Sequence, residues 1–223
     1  MEGLKMLTSN LVYKALNKIK WNIYSKINNE ACLAETHNIW INYPYHSAFL
    51  NQHNKSIYLL KKIKPYVKKN DRILELGSGT GRNLHYLLSL GYDNVFGIEI
   101  SNKAMDLMKQ KYPDILYVWN DSIENKIKYI KTGEFDVVFS MAVLMHIHGD
   151  SEWVFNEIVR VTKRYLITIE EEKNGGKGRK HLPRNFKNIF EDLGMKQVEE
   201  DVFPQPGHRQ FITRVFTQEH TGI

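Results

Sequence analysis

Short apolar runs alternate with segments of helical periodicity along the chain after Lys69. This alternation predicts parallel strands joined by crossover helices, which is typical of an α/β domain. Each strand candidate is rich in branched aliphatic or aromatic side chains. The candidates are Arg72–Leu76, Asn94–Ile100, Ile115–Val118, Phe135–Ser140 and Tyr165–Glu170.

Helical spacing of apolar residues fills the intervals between these strands and continues after the fifth. Asp150 or Ser151 is the predicted N-cap of the helix before the fifth strand, and Gly194 ends the helix that follows it. The predicted helices are Asn83–Leu90, Ala104–Lys111, Ile123–Lys131, Trp153–Thr162 and a segment from after Arg184 to about Leu193.

Two more strand candidates, Lys196–Phe203 and Gln210–Phe216, close the pattern. Pro204, Pro206 and Gly207 separate them. Such residues break regular structure, so we expect the two strands to form an antiparallel pair.

The first 65 residues carry a different pattern. Between Leu7 and Ile27, leucine and isoleucine recur near one face of a helix, with lysines at polar positions. Packing of this basic amphipathic helix on its own domain is favoured over binding to a membrane surface or an acidic partner. The aromatic-rich stretch from His37 to Phe49 suits a lid or acceptor pocket as well as a core. We therefore expect an N-terminal helical extension or lid over residues 1–65 and a sheet domain over residues 66–223.

Composition restricts the class of protein. A chain of 223 residues can bury one large core, and it contains no apolar run of the roughly 20 residues that a membrane span needs. The N-terminus also lacks the pattern of a secretory signal. Cys32 is the only cysteine, which excludes an intramolecular disulfide and favours a cytoplasmic location. We expect Cys32 itself to be a small buried apolar residue.

Residues Glu75 to Asn83, with the sequence Glu-Leu-Gly-Ser-Gly-Thr-Gly-Arg-Asn, are the strongest chemical signal. They join a carboxylate to a glycine-rich turn between a predicted strand and a predicted helix, an arrangement that cradles a nucleotide. The spacing does not fit Gly-x-Gly-x-x-Gly, and no Gly-Lys-Ser/Thr follows, so neither a dinucleotide nor a triphosphate is indicated. A buried carboxylate needs a cation or several donors. The motif therefore indicates a nucleoside linked to a cationic amino acid.

With these residues the sequence resembles the class I S-adenosylmethionine-dependent methyltransferases, whose first motif is Glu/Asp-x-Gly-x-Gly-x-Gly. Three later segments match the family in order: the second strand ending in Glu99, Val118–Ser122, and Phe135–Ser140 with its loop to Ile147. The resemblance covers the chain from about Tyr66 to Phe216. It implies a Rossmann-like, doubly wound, seven-stranded and mostly parallel sheet with a reversed last strand, and S-adenosylmethionine as cofactor.

The resemblance also implies which residues form the cofactor site. Glu99 would hydrogen-bond the two ribose hydroxyls, and Asp121 would contact the exocyclic amine of adenine. The alternatives are a solvated strand-end carboxylate for Glu99 and a helix cap for Asp121. The expected cofactor-binding residues are Glu75, Gly77, Ser78, Gly79, Gly81, Asn83, Glu99, Ile100, Asp121, Ser122, Ser140 and Met141.

The acceptor is expected at the carboxyl ends of the fourth and fifth strands. His146 and His148 follow the fourth strand and are candidates for a general base, because histidine titrates near neutral pH; packing around the cofactor is the alternative. The basic cluster after the fifth strand favours an acidic acceptor, unless it is a solvated loop. The candidate acceptor-binding residues are Tyr45, His46, Glu170, His181 and Arg184.

Together these features predict O- or N-methylation of a small molecule or glycan. A formal charge of +6 leaves RNA or DNA as an alternative acceptor. Ser140-Met141-Ala142 stands where enzymes that methylate exocyclic base amines carry Asp/Asn-Pro-Pro-Tyr/Phe, which makes nucleic acid the weaker alternative. A non-catalytic binding protein with this fold is the third hypothesis. No metal is expected, since His146 and His148 are an incomplete ligand set.

Overall fold

A seven-stranded sheet forms the centre of the molecule in the computed structural model, which describes residues 32–45, 51–172, 182–203 and 210–218. The predicted helix between Leu7 and Ile27 lies outside these residues. The strands are β1 Ile73–Leu76, β2 Val95–Glu99, β3 Val118–Asn120, β4 Phe135–Met141, β5 Thr162–Glu171, β6 Met195–Phe203 and β7 Phe211–Gln218.

The strand order is β3-β2-β1-β4-β5-β7-β6. Strands β1 to β5 pair in parallel, and β7 runs antiparallel to both of its neighbours, β5 and β6. The Rossmann-like fold with a reversed last strand and an antiparallel final pair is therefore confirmed. The chain moves outward from β1 to β3 and then returns to β4 on the other side of β1. The loops after β1 and β4 diverge at this point, which leaves a crevice at the carboxyl ends of the strands.

Helices cover both faces of the sheet. Strand β1 is buried along its whole length, and its side chains alternate between two apolar cores, with Ile73 in one and Leu74 and Leu76 in the other. The helices are α1 Leu33–Ile41, α2 His53–Ile63, α3 Arg82–Ser89, α4 Asn102–Lys111, α5 Ile123–Lys126, α6 Val154–Val161 and α7 Phe186–Asp192.

Helix α2 belongs to the predicted N-terminal extension, yet it packs directly on the sheet. Leu59 and Ile63 are almost fully buried in the core that contains Ile73. On the same helix, the hydroxyl of Ser56 donates to Oδ1 of Asn83 at 2.6 Å. This helix therefore contributes to the support of the glycine-rich turn.

The third strand lies further along the chain than Ile115–Val118, so that prediction is wrong in its boundaries. Val118 and Asn120 pair with Gly97 and Glu99 of β2. The apolar side chain of Leu116 is 74% exposed and takes no part in the sheet. Backbone pairing with β2, and not local hydrophobicity, determines where this strand starts.

Three local predictions are also corrected. The helix predicted from Ile123 to Lys131 is α5 followed by a 3₁₀ turn over Ile127–Tyr129. Neither Asp150 nor Ser151 caps α6, because both lie in a separate 3₁₀ turn, Gly149–Ser151, which is capped by His148. Cys32 is exposed at the start of α1 and is not a buried residue.

Candidate active site

The glycine-rich turn lies tightly against the loop that follows β4. Gly77 has φ +69°, and a Cβ built on it would lie 2.5 Å from Cγ2 of Val143. Only glycine fits such a positive φ and such a close approach without strain. The turn is held to β2, because the N–H groups of Gly77 and Ser78 donate to the carbonyl of Ile98 at 2.9 and 3.0 Å.

Glu75 is a buried carboxylate directly behind this turn, 2% exposed. Its Oε1 accepts from Nδ2 of Asn83 at 2.7 Å, and Oε2 has no hydrogen-bond partner among the described residues. Burial raises the pKa of Glu75 to about 8, against the opposing effects of Asn83 and Arg82. A buried carboxylate with one unsatisfied oxygen is a ready partner for a ligand cation.

Glu99 closes the neighbouring strand. Its Oε2 accepts from the N–H of Gly79 at 2.7 Å, and its Oε1 accepts from the N–H of Ser101 at 2.8 Å. Burial raises the pKa of Glu99, although these backbone donors oppose the shift. A carboxylate has about four acceptor sites, so both oxygens keep capacity for ligand hydroxyls.

Asp121 follows β3 at the same edge of the sheet. Its Oδ1 accepts from the N–H of Ser122 at 2.7 Å and from Nδ2 of Asn125 at 3.3 Å. The N-cap of α5 is Ser122, whose hydroxyl accepts from the N–H of Asn125. Asp121 thus stabilises the turn before the helix and also lines the cavity beside it.

A pocket of about 640 Å³, partly open to solvent, lies at the carboxyl ends of β1, β2 and β4. The ends of the strands form the inner wall of the pocket, and the loop after β4 forms one side. Its outer wall comes from the N-terminal segment, through Thr36, His37, Trp40 and Tyr45. The N-terminal segment therefore covers the crevice that the strand ends and the loop after β4 form.

The loop after β4 is fixed from inside the protein by Glu170. This carboxylate is fully buried and accepts from the N–H groups of Val143 and Met145 and from the hydroxyl of Ser140. Its burial raises its pKa to about 7, against these donors. The same loop carries Ala142 at φ +60° and presents Val143 and His146 to the pocket. Glu170 therefore acts on the pocket through the loop and does not face it.

The N-terminal segment covers the pocket through specific contacts. His37 Nε2 lies 3.1 Å from Oε1 of Glu124, at the start of α5. The ring of Trp40 packs on that of His146, with 4.2 Å between their centroids. Burial, and then the charge of Glu99, raise the pKa of Tyr45 well above its usual range. The contacts of His37 and Trp40 join α1 to the start of α5 and to the loop after β4.

The structure brings many of the predicted site residues to one pocket and places others elsewhere. The predicted residues on its walls are Gly77, Glu99, Ile100, Asp121, Ser122, Tyr45 and His146. His148 is buried and faces away, with its Nδ1 accepting from the N–H of Asp150. Arg184 lies 3.5 Å from the carbonyl of Leu144 and from Oε1 of Glu152, below the loop. His46 and His181 lie outside the described residues.

Several cofactor candidates stand behind the pocket wall. Asn83 bridges Glu75 and Ser56, as described above, and the hydroxyl of Ser140 donates to Glu170. The hydroxyl of Ser78 is turned towards Gly97 of β2, which has no room for a Cβ. The remaining candidates behind the wall are Gly79 and Gly81, both with positive φ, and the partly buried Met141.

Sequence reasoning missed Glu124, Val143, Thr36 and Ile147 as lining residues. Glu124 lies three positions after Asp121, and Val143 lies three positions after Ser140. Both could have been found by extending the two motifs by three residues. Thr36 carried no signal, because its position depends on the way α1 crosses the pocket.

Comparison with known proteins identifies the domain. Residues 74–166 match the model of a family described as a methyltransferase domain. The match covers less than half of the chain and shows that these residues are similar to a methyltransferase domain. It agrees with the predicted resemblance to the class I S-adenosylmethionine-dependent methyltransferases, because the segment matched contains the glycine-rich turn, Glu99 and Asp121.

Proteins of known name or structure are similar to this chain in sequence or in fold. Ribosomal protein L11 methyltransferase of Thermotoga petrophila is 27% identical over 118 residues, which are 51% of this chain and 40% of that protein. The chain thus matches less than half the length of this curated relative. A methyltransferase of Archaeoglobus fulgidus superimposes with a TM-score of 0.64 at 14% identity, over 77% of this chain and 97% of that one. The 1,6-didemethyltoxoflavin-N1-methyltransferase of Burkholderia thailandensis superimposes with a TM-score of 0.60 at 14% identity, over 97% of this chain and 89% of that one.

The residues present fit S-adenosylmethionine, the cofactor of this family. Oε2 of Glu75 is buried without a partner among the described residues and suits the ammonium of the methionine part. Gly77 lines the pocket without a side chain, and Glu99 retains acceptor capacity for ribose hydroxyls. Within the described ranges, no cluster of three or more His, Cys, Asp or Glu that could hold a metal is found. No helix within those ranges has the length and apolar character of a membrane span.

Proposed function

We propose that the chain transfers the methyl group of S-adenosylmethionine to an oxygen or nitrogen atom of a small-molecule acceptor. The observation that carries this proposal is the covered pocket, which joins Gly77, Glu99 and Asp121 to His146 under the α1 helix. A polynucleotide needs an open groove, whereas a pocket roofed by the chain's own N-terminal segment suits a small ligand.

The cofactor supplies an electrophilic methyl group on a positively charged sulfur when it is bound. The protein's part is to align the acceptor with that group and to exclude water. Glu75, Glu99 and Asp121 would hold the ammonium, ribose and adenine parts. Helix α1 and Tyr45, from the N-terminal extension, would act as the lid.

His146 is the proposed general base for an acceptor that must lose a proton. It lines the pocket, three positions after Val143, and its ring is held by the packing of Trp40. His148 is not proposed as the base, since its ring faces the backbone of Asp150 inside the protein. Proton removal by a positioned histidine contributes about 10² to 10⁴ in rate.

Titration calorimetry with S-adenosylhomocysteine tests the cofactor part. We expect the wild-type protein to bind and Glu99→Ala to lose at least about tenfold in affinity, because its hydrogen bonds to the ribose and to Gly79 are removed. Glu191→Ala is the matched control, because Glu191 is exposed on α7. Absence of binding by the wild type would overturn the proposal.

Methyl transfer from labelled S-adenosylmethionine tests the acceptor class. The protein is incubated with a cell extract separated into low-mass, RNA and protein fractions. We expect label in the low-mass fraction, and about tenfold less of it with Glu99→Ala when S-adenosylmethionine is below saturation. Label confined to RNA or to protein would contradict a small-molecule acceptor while leaving the cofactor site intact.

A further inference from the structure

Helix α1 buries few of its side chains. Thr36 is its one buried residue, and none of the buried apolar side chains among the described residues belongs to Leu33–Ile41. Helix α2, in contrast, buries Leu59 and Ile63 in an apolar core. Because apolar packing supplies most of the stability of a docked helix, other contacts must hold α1 to the domain.

The side of α1 that faces the domain faces the pocket. Thr36, His37 and Trp40 lie on one side of the helix, at positions i, i+1 and i+4, and all three line the pocket. Glu99 and Asp121 line it from the strand ends. A molecule that contacts Glu99 and Asp121 therefore lies between the strand ends and α1.

Two side-chain contacts bridge the pocket from α1 to other parts of its wall. His37 Nε2 lies 3.1 Å from Oε1 of Glu124, at the start of α5. The ring of Trp40 packs on that of His146, in the loop after β4, with 4.2 Å between the centroids. All four residues line the pocket. The bridges therefore cross the space in which a ligand would be held.

The hydrogen bond of His37 to Glu124 is the stronger of these attachments. The side chain of Glu124 is 11% exposed and that of His37 is 29% exposed, so water competes little for the bond. A hydrogen bond to a carboxylate that is shielded from water is stronger than a neutral one at the surface. The hydroxyl of Ser101 also donates to the carbonyl of Ile41, but at a longer distance of 3.4 Å.

Helix α1 is short enough to depend on these attachments. It has nine residues, fewer than the roughly 12–15 that an isolated helix needs to be stable in water. When its contacts with the domain break, we expect the helix to unwind as it leaves the pocket. Opening exposes no buried apolar side chain of α1, so the rest of the domain can stay folded.

We propose that α1 is a gate and that the hydrogen bond between His37 and Glu124 is its latch, so that S-adenosylmethionine enters and S-adenosylhomocysteine leaves when this bond breaks. This inference rests on the proposed methyltransferase function and gives the lid a mechanism. Both partners of the latch belong to the protein, so it closes the pocket before a ligand binds as well as afterwards.

A gate has a kinetic signature that a ligand-binding residue does not have. If a ligand passes only through the open form, the association and dissociation rate constants are both proportional to the fraction of open protein. A weaker latch then raises both rate constants by the same factor and leaves the dissociation constant unchanged. Loss of a direct contact with the ligand instead raises the dissociation rate constant and the dissociation constant together.

Stopped-flow fluorescence with S-adenosylhomocysteine measures the two rate constants. His37→Phe keeps a ring and removes Nε2, and Glu124→Met keeps the length of the side chain and removes the acceptor. His85→Phe is the matched control, because His85 is exposed on α3, stacks on Tyr112 and does not line the pocket.

We expect both rate constants to rise roughly threefold to tenfold in His37→Phe and in Glu124→Met, which corresponds to the loss of one hydrogen bond. The dissociation constant should stay within about twofold of the wild-type value. The double variant should be no faster than either single variant, because both remove the same bond. His85→Phe should change neither rate constant.

Hydrogen exchange of the ligand-free protein, measured by mass spectrometry, tests the latch without any ligand. Amides of α1 should exchange each time the helix leaves the pocket and unwinds, whereas those of β4 need the sheet to open. We expect roughly threefold to tenfold faster exchange in α1 of His37→Phe than in the wild type, and unchanged exchange in β4.

Unchanged rate constants in both single variants overturn the gate, and so does unchanged exchange in α1. A higher dissociation constant with an unchanged association rate constant also overturns it, since His37 and Glu124 would then be ligand-binding residues. Failure of the wild type to bind S-adenosylhomocysteine overturns the proposed function instead. The hydrogen exchange would still decide whether the latch holds α1, so the two failures are distinguishable.

Discussion

The ionisation of a single buried residue, Glu75, sets how the proposed cofactor binds. Its pKa in the folded protein is about 8, so it is mostly protonated in the empty site at pH 7. A ligand ammonium needs the ionised form, so binding must release a proton. We expect the dissociation constant of S-adenosylhomocysteine to fall by up to about tenfold per pH unit as pH rises towards 8. Calorimetry in two buffers of different ionisation enthalpy measures the proton release.

The Glu75→Gln variant isolates this effect from the titration of the ligand itself. It should bind S-adenosylhomocysteine more weakly and release fewer protons on binding. Its dissociation constant should also depend less steeply on pH than that of the wild type.

The stability of the ligand-free protein gives an independent check on the direction of the pKa shift. Because burial raises the folded pKa of Glu75 above its ordinary value of 4.5, this group's contribution to the folded state is complete below that value and is lost as pH rises to about 8. If binding and stability depended on pH in the same way in the wild type and in Glu75→Gln, Glu75 would not be the group that titrates.

A second prediction concerns the close approach of Gly77 to the loop after β4. In Gly77→Ala the new methyl group would meet Val143 at 2.5 Å, at a φ of +69°. We expect a loss of about 1–3 kcal/mol of unfolding free energy and at least about tenfold weaker binding of S-adenosylhomocysteine. Urea unfolding and calorimetry measure the two effects. Gly91→Ala is the matched control, because Gly91 has φ +77° but meets only Lys69 Nζ at 3.5 Å, so it should lose stability and keep affinity.

The sequence predicts the role of a residue well when that role depends on local chain geometry, and poorly when it depends on contacts with distant residues. Glu75 and Gly77 belong to one contiguous turn, so their roles follow from local chain geometry. Ser78 and Asn83 belong to the same turn, but their side chains point inward. Their orientations depend on Gly97 of β2 and Ser56 of α2, which no local pattern reveals.

Among the elements, the loop after β4 depends most on a residue outside it. Glu170→Gln would replace one acceptor oxygen by an NH₂ group that faces the N–H groups of Val143 and Met145. We expect a loss of about 1–3 kcal/mol of unfolding free energy and weaker binding of S-adenosylhomocysteine, because the loop forms one side of the pocket. Urea unfolding and calorimetry measure both.

Ser140→Ala is the matched test of this prediction. It removes one donor to Glu170 and leaves the backbone hydrogen bonds in place, so its cost should stay near 1 kcal/mol. Equal costs for the two variants would show that the carboxylate does not organise the loop.

Strand β3 shows the limit of periodicity at the scale of elements. The apolar residues from Ile115 predict a strand, and a strand is present, but it begins at Val118. Leu116 and Tyr117 are exposed, so their hydrophobicity gives no information about the sheet. The existence of an element follows from its own residues, while its register follows from the partner strand.

At the scale of the whole molecule, the position of the N-terminal segment is the property that the sequence conceals. His37 and Glu124 are separated by 87 positions, and only the folded chain brings them together. The aromatic content of this segment fits a core as well as a lid. Helix α1 contacts the start of α5 and the loop after β4, whereas α2 packs on the sheet, and this difference supports the proposed lid.

Helix α2 is joined to the far edge of the sheet through a charged cluster remote from the pocket. Nζ of Lys62 lies 2.7 Å from both Glu199 Oε1 and Asp201 Oδ2 of β6. Lys62→Met would leave two neighbouring carboxylates without their cation. We expect a loss of about 1–2 kcal/mol of unfolding free energy at pH 7, discounted because Asp201 is 44% exposed, and unchanged affinity for S-adenosylhomocysteine.

The pH dependence of this loss separates the ion pairs from simple packing. Lys62 lowers the folded pKa values of Glu199 and Asp201 below their ordinary values of 4.5 and 3.8. The stabilisation is therefore complete above about pH 5 and is lost as pH falls through the folded pKa values. Urea unfolding of wild type and Lys62→Met at pH 7 and pH 3 should show the difference shrinking at the lower pH. A difference of the same size at both values would mean that the ion pairs are not its source, and that other contacts of Lys62, such as that of its Nζ with the ring of Tyr58 at 5.8 Å, provide the stability instead.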